Sequence, residues 1–166
     1  MESGLKYTIF ETTAGWIAVL ASARGLRQLT LPQPSAGAAQ ERLGRLDGAA
    51  ADPEYFAELV SRVRFYFAAR LVTFPDSLDL RGTAFQREVW SRTRLIPYGE
   101  TRSYSWVAGQ VGHPAAARAM GQALARNPLP LIVPCHRVVG HNGQLCGFTG
   151  GLRWKQFLLS LEGCTI

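Results

Sequence analysis

Apolar and polar positions alternate loosely along Tyr7-Thr8-Ile9-Phe10-Glu11-Thr12-Thr13, and the pattern breaks at Ala14-Gly15. A period of two marks a strand with one buried face. Trp16-Ile17-Ala18-Val19-Leu20-Ala21 predicts a second strand, and Gly25-Leu26-Arg27-Gln28-Leu29-Thr30-Leu31 a third after the turn at Ala23-Arg24-Gly25. Turns this short favour an antiparallel meander, which Pro32-Gln33-Pro34-Ser35 ends. Residues 36–52 are rich in Ala, Gly and Arg without an apolar stripe, so a mobile connection with at most helix fragments is expected there. Asp52-Pro53 then opens a helix, with a capping Asp, Pro at the first helical position and Glu54 in the first turn. Phe56, Leu59, Val60, Val63 and Phe67 recur at helical spacing and predict the face laid against the sheet. Val72-Thr73-Phe74 and Leu78-Asp79-Leu80 predict short extended pieces leading out of this unit.

The second half is patterned for helices. Thr83-Ala84-Phe85-Gln86-Arg87-Glu88-Val89-Trp90 predicts a helix start with Phe85, Val89 and Ile96 directed inward, followed by a loop at Ile96-Pro97-Tyr98-Gly99-Glu100-Thr101. Ser103 is a good cap for the next helix, where Val107 and Val111 form an i, i+4 apolar pair. Gly112-His113-Pro114 breaks the chain, and residues 115–126 have helical composition with Pro114 at the first position. Two short helices joined by a tight glycine turn predict a helix-turn-helix. On the second helix Ala116, Met120, Ala123 and Leu124 share one face, while Arg118 projects from the opposite side beside Ala115, Gln122 and Ala125. Small side chains around one arginine suit a helix lying against DNA with the arginine in a groove. The same composition also suits an ordinary packing helix with a solvated arginine. Asn127-Pro128 stops the helix, and residues 129–133 predict a buried extended segment that delivers Cys135. Asn142-Gly143 predicts a hairpin turn, residues 147–151 a flexible segment carrying Phe148, and residues 152–161 a last helix with Trp154, Phe157, Leu158 and Leu161 buried.

Composition adds three constraints. A chain of 166 residues with 47% hydrophobic content is long enough to bury a real core, and it contains no apolar run of membrane-spanning length. The N-terminus lacks the basic start and apolar core of a secretory signal. Cys135, Cys146 and Cys164 are an odd number without a C-x-x-C pair, which argues against a disulfide framework or zinc finger and for a reducing, cytoplasmic setting. The net charge of +6 is uneven: residues 1–80 hold 8 Lys and Arg against 9 Asp and Glu, residues 81–166 hold 10 against 3. Most of these cations are arginines, suited to bidentate phosphate contact, so the second half is expected to meet a polyanion. The natural division is therefore a sheet-and-helix scaffold over 1–80 and a functional unit over 81–166.

The chemistry concentrates at Leu131-Ile132-Val133-Pro134-Cys135-His136-Arg137-Val138-Val139. A cysteine beside an imidazole is one way to make a nucleophile. A small hydrophobe packed in a core is the other reading, because free cysteine is among the most buried residue types.

Pro134-Cys135-His136-Arg137-Val138, preceded by Asn127-Pro128 and followed by Gly150-Gly151-Leu152 and Glu162-Gly163, resembles the O6-alkylguanine-DNA alkyltransferases. The resemblance is close from about Gly82 to Gly163 and loose before that. It implies an α+β protein, with a small ribonuclease H-like domain at 1–80 and a mostly helical domain at 81–166 that binds DNA and accepts the alkyl group. The implied activity is that of a methylated-DNA–protein-cysteine S-methyltransferase, a direct-reversal repair that moves an alkyl group from O6-alkylguanine, and from O4-alkylthymine, in duplex DNA to Cys135 once per molecule. By the same resemblance His136 deprotonates Cys135 through a water, Glu162 orients His136, and Asn127 holds the cysteine segment. Arg118 fills the gap left by a flipped base, Tyr104 helps rotate the nucleotide and protonates the departing oxygen, and Ser103 contacts a nearby phosphate. Phe148, Thr149 and Gly150 form a pocket wall, with Leu124 and Val139 as further lining. Many family members have tyrosine where this chain has Phe148, so a hydroxyl contact is lost. Residues 1–80 contain neither cysteine nor histidine, so the zinc that some members carry is not expected. No cofactor, membrane or obligate protein partner is implied, and the expected state is a monomer on double-stranded DNA. Three rivals remain: a non-enzymatic lesion binder, against which Cys135 itself argues; a cysteine hydrolase, against which the basic helix pair argues; and a transcription factor with Cys135 in its core.

Overall fold

The computed structural model describes residues 4–148 and 150–164. The fold is α+β, and the chain divides into two compact units, residues 1–80 and 81–166. No helix among the described residues is long and apolar enough to cross a membrane.

In the first unit β1 (Lys6–Thr12), β2 (Gly15–Ser22) and β3 (Gly25–Leu29) form the antiparallel meander that their alternation and turns predict. Residues 36–52, expected as a mobile connection, are instead ordered. Ser35 caps α1 (Ala36–Leu43) by accepting from Ala38 N–H, and β4 (Ala50–Ala51) pairs parallel to β1, giving a mixed sheet of order β3-β2-β1-β4. The stripe of α1 is narrow, only Ala39 and Leu43, but it meets Ala18 and Leu20 of the sheet with Tyr7 and Ile9 packed around them. That contact orders a segment whose own composition is nearly silent. On the opposite face Phe10 pairs with Ile17, and Arg64 of α2 (Ala57–Phe67) reaches over the Phe10 ring. A helix on each face explains why β2 reads as an unbroken apolar run. Asp52 does start the helical region, accepting from Tyr55 N–H at 3.1 Å, but the first turn, Glu54–Phe56, is 3-10. Tyr66 joins the expected buried face, while Val60 is only half-buried. The extended pieces expected at 72–80 form no strand; one parallel bridge, Leu26 to Leu78, fastens them beside β3.

In the second unit Thr83 and Gln86 make a reciprocal capping box at α3 (Ala84–Thr93). Val89, Trp90 and Ile96 are buried and Phe85 only partly so. β5 (Arg102–Ser103) leads directly into α4 (Tyr104–Gln110), where the Ser103 hydroxyl accepts from Trp106 N–H at 3.0 Å. A left-handed Gly112, with φ at 76°, turns the chain toward α5 (Ala117–Ala125). The helix begins at 117, not at 115, because residues 114–116 are used in the turn that Ala116 N–H closes onto His113 O. Residues 129–133 are a turn, not the expected extended segment: Leu131 is left-handed, φ 76°, and Val133 N–H closes onto Leu129 O at 2.8 Å. Asn142 and Gly143 adopt the left-handed turn their types favour, yet no hairpin results, because β6 (Val138–Val139) pairs parallel with β5. In α6 (Leu152–Leu161) the buried positions are Lys155, Leu158 and Leu159, with Glu162 just beyond; Phe157 is 41% exposed. The inward face is thus polar at both ends, and those polar ends build the site.

Gly25 tests the first unit. Its φ is 148°, and an added Cβ would lie 2.3 Å from the Ser77 carbonyl oxygen, a backbone atom that accepts from Leu26 N–H. Gly25→Ala is expected to cost on the order of 3 kcal/mol, read as a lower midpoint in thermal unfolding followed by circular dichroism.

Candidate active site

Cys135 is set in place by a side chain eight residues earlier. Asn127 Nδ2 donates to Val133 O at 2.8 Å and Asn127 Oδ1 accepts from Leu129 N–H at 2.9 Å, so one amide spans the turn. Cys135 N–H then bonds Val133 O at 2.7 Å and opens a 3-10 turn over Cys135–Arg137. The cysteine is 8% exposed and lines a pocket of about 690 Å³, ample for a nucleobase-sized ligand. Tyr104, Arg118, Leu124, Cys146, Gly147 and Phe148 share the wall, together with the small residues Ala117, Gly121 and Ala125 of α5. Tyr104 Oη donates to Gly147 O at 3.4 Å, across the mouth of the segment that carries Phe148.

Behind this wall is a buried polar cluster. His136 and Glu162 side chains are fully buried, with His136 Nε2 2.5 Å from Glu162 Oε2. Glu162 Oε1 accepts from Arg137 Nε at 2.7 Å and from Gly99 N–H at 3.0 Å. Arg137 Nη1 donates to Ile96 O at 2.7 Å, and its guanidinium lies over the Tyr98 ring. Burial alone would push the Glu162 carboxyl up, but the hydrogen bond from His136, and then the hydrogen bond and charge of Arg137, outweigh it and hold Glu162 at about 2. Burial lowers His136 against the opposing pull of Glu162, leaving a neutral imidazole. An ionised carboxylate can only accept, so the imidazole proton sits on Nε2 and Nδ1 is the basic nitrogen. Burial also pushes the Cys135 thiol up, opposed by an Asn127 hydrogen bond, the Lys155 charge and the N–H groups of Cys135 and His136. The resting site therefore holds a thiol next to a base, and the thiolate is made on demand. Burial, with the thiols of Cys146 and Cys135 adding to it, pushes Tyr104 up to about 12, so its phenol stays a proton donor at neutral pH.

The expected residues fall into two groups. Cys135, Tyr104, Arg118, Leu124 and Phe148 meet at the pocket, and Asn127, His136 and Glu162 stand behind it. Ser103 is outside the pocket wall, its hydroxyl engaged at the α4 cap and 2.9 Å from Ser105 Oγ. Val139 is buried in β6, paired with Ser103, and neither it nor Gly150 is among the wall residues. Thr149 lies outside the described residues. Sequence reasoning does not single out Arg137, Gly99 or Lys155. Gly99 and the arginine's partners are long-range and leave no local trace. Lys155 does leave one: with Leu158, Leu159 and Glu162 it occupies i, i+3, i+4 and i+7, one face of α6.

The family model for the DNA binding domain of 6-O-methylguanine DNA methyltransferase matches residues 84–164. The methylated-DNA–protein-cysteine methyltransferase of Methanosarcina acetivorans is 41% identical over 95% of this chain and 97% of its own length. That of Mycobacterium leprae is 58% identical over 64% of this chain and 65% of its own. The crystal structure of Mycobacterium tuberculosis OGT in complex with DNA superposes with a TM-score of 0.81 at 40% identity, covering 95% of this chain and 92% of that one. The chain belongs to the methylated-DNA–protein-cysteine methyltransferase family.

Glu162→Gln would leave Arg137 buried without its counter-charge, and a loss of about 3–5 kcal/mol is expected in denaturant unfolding. Glu162 also sets an acid limit. Its folded value of about 2 is below the ordinary 4.5, so the unfolded chain takes up the proton first. The stabilisation is complete above 4.5 and is lost as pH falls toward 2; thermal midpoints across that window should decline in the native protein and flatten in the Gln variant.

Proposed function

We propose that this protein repairs DNA by direct reversal, moving the alkyl group from guanine O6 in duplex DNA to Cys135 once and irreversibly. The observation that carries the reading is the Cys135 thiol at the wall of a base-sized pocket, backed by a neutral imidazole whose other nitrogen is held by an ionised carboxylate. A proton passes from Cys135 Sγ through one water to His136 Nδ1, and Glu162 stabilises the imidazolium that forms. The thiolate attacks the alkyl carbon; the C–S bond forms as the C–O bond breaks, and the electron pair stays on the guanine oxygen. Tyr104, a protonated phenol in the same pocket wall, supplies the proton that makes guanine a good leaving group. A thioether has no hydrolytic exit, so the protein is consumed.

DNA is the partner that supports the rest of the reading. The second unit holds 10 of the 18 Lys and Arg residues, and exposed Arg118 stands at the pocket on a helix of small side chains, suited to replace a flipped base in the stack. Ser103 serves a phosphate near the α4 start, Phe148 stacks on the guanine, and Thr149, Gly150, Leu124 and Val139 complete or support its surroundings. O4-alkylthymine is the second substrate. The protein acts as a monomer, without cofactor, in a cytoplasm reducing enough to keep Cys135 a thiol.

The test is a mass-spectrometric one. Incubation with duplex DNA containing O6-methylguanine should place one methylene's added mass on the Cys135 peptide, with repair stopping at one lesion per protein. Binding without that adduct, or repair by a Cys135→Ser variant, would sink the proposal. Tyr104→Phe should retain the adduct but form it roughly a hundredfold more slowly, measured by single-turnover kinetics.

A further inference from the structure

Lys155 is fully buried, at 0% exposure, in the middle of α6. A lysine is rarely sealed away unless its charge is compensated. Two of its three N–H donors are accounted for: Nζ donates to Val138 O at 2.6 Å and to Cys146 O at 3.0 Å. On a further side Nζ lies 5.6 Å from the centre of the Tyr104 ring, within reach of its π face. These three contacts are not scattered. Val138 is three residues past Cys135, Cys146 lies in the pocket wall that Cys135 also lines, and Tyr104 forms another part of that wall. Two carbonyls could be tied by any neutral donor, so geometry alone does not explain why the group is a cation. Among the described residues, no carboxylate pairs with it. The groups that feel its charge are two thiols, Cys135 first and then Cys146, and the His136 imidazole, whose protonated form it disfavours.

We propose that Lys155 is a positioning residue of the acceptor site, whose buried ammonium ties together the Val138 and Cys146 backbone that follows Cys135 and supplies the fixed positive charge against which its thiolate forms. The proposal rests on Cys135 being the acceptor. Among the described residues the cation has no anionic partner at rest, and it gains one when Sγ loses its proton, so the same charge that is costly in the resting protein favours the reactive state. In a poorly hydrated site that effect is much larger than in water. It complements the His136–Glu162 pair: the imidazole removes the proton, and the ammonium makes the anion left behind cheaper to form. The linkage runs both ways in the present structure. Burial lowers Lys155 and the thiols oppose this; burial raises Cys135 and Lys155 opposes it. The other ionisable groups around Cys135 are His136 from its own turn, Tyr104 from α4, Arg118 from α5 and Cys146 from the segment before Gly147.

The experiment uses the full chain without DNA, so its failure is separable from a failure to repair O6-methylguanine. Iodoacetamide alkylation is followed across a pH series and read peptide by peptide; trypsin cutting after Arg126, Arg137 and Arg153 separates Cys135 from Cys146 and Cys164. In Lys155→Met the midpoint for Cys135 should rise by about one unit, and alkylation at neutral pH should fall about tenfold. Lys155→Arg should recover most of the loss. A folded Lys155→Met protein with an unchanged midpoint for Cys135 overturns the proposal and leaves Lys155 a tie between loops. If Lys155→Met does not fold, the reciprocal measurement decides. The chain has only two lysines, Lys6 and Lys155, so ¹³C-lysine NMR resolves both titrations. Replacing Cys135 with Ala should lower the Lys155 midpoint and leave Lys6 in place; an unmoved Lys155 overturns the proposal equally.

Discussion

A carboxylate sealed from water must find a donor for each oxygen, and Glu162 finds three, from two separate parts of the chain. His136 meets one oxygen, while Arg137 and the backbone of Gly99 share the other. The loop after α3, the turn that bears Cys135 and the end of α6 therefore close on a single group. Gly99 is left-handed, φ 79°, and a Cβ there would press within 3.3 Å of the Glu162 carbonyl oxygen. The backbone thus comes close enough to donate only because no side chain intervenes. Arg137 does double duty. It keeps the carboxylate ionised, so His136 can be neutral and still oriented, and it absorbs the charge that would otherwise make a buried glutamate untenable.

Much of the fold was legible because local rules acted alone. The three meander strands, the capping residues Ser103 and Asp52, the Gly112 turn and the bounds of α6 all follow from period, cap chemistry or backbone freedom. Legibility failed where tertiary contact decided. The stripe of α1 is only two residues wide, and the sheet face beneath it, not its propensity, makes it a helix. Residues 129–133 have the β-branched, apolar composition of a strand, yet Asn127 captures their backbone and folds them into a turn.

The candidate site divides in the same way. Cys135 and His136 are neighbours in the chain, so their pairing is local and could be read directly. Glu162 stands 26 residues further on, and composition alone would leave it a solvated helix end; only the resemblance pointed to it. Lys155 was hidden by an assumption that the inward stripe of α6 is apolar. Phe157 looked the better core residue, yet it is exposed while a lysine and a glutamate take the interior. Hydrophobicity predicts which residues can be buried cheaply, and a reactive site is where a chain buries the others.

Trp90 carries a mechanical meaning. Its buried indole N–H donates to Ala123 O at 2.8 Å, joining α3 to the last turn of α5, and α5 is also the helix that carries Arg118. Any load applied at Arg118 is therefore transmitted along α5 into the tryptophan anchor and the body of α3. The Cys135 turn hangs from Asn127, just past the end of α5, whose own N–H closes onto Leu124 O at 3.2 Å. The helix that carries Arg118 and the turn that carries the thiol are thus anchored within a few residues of each other, one on Trp90 and the other on Asn127.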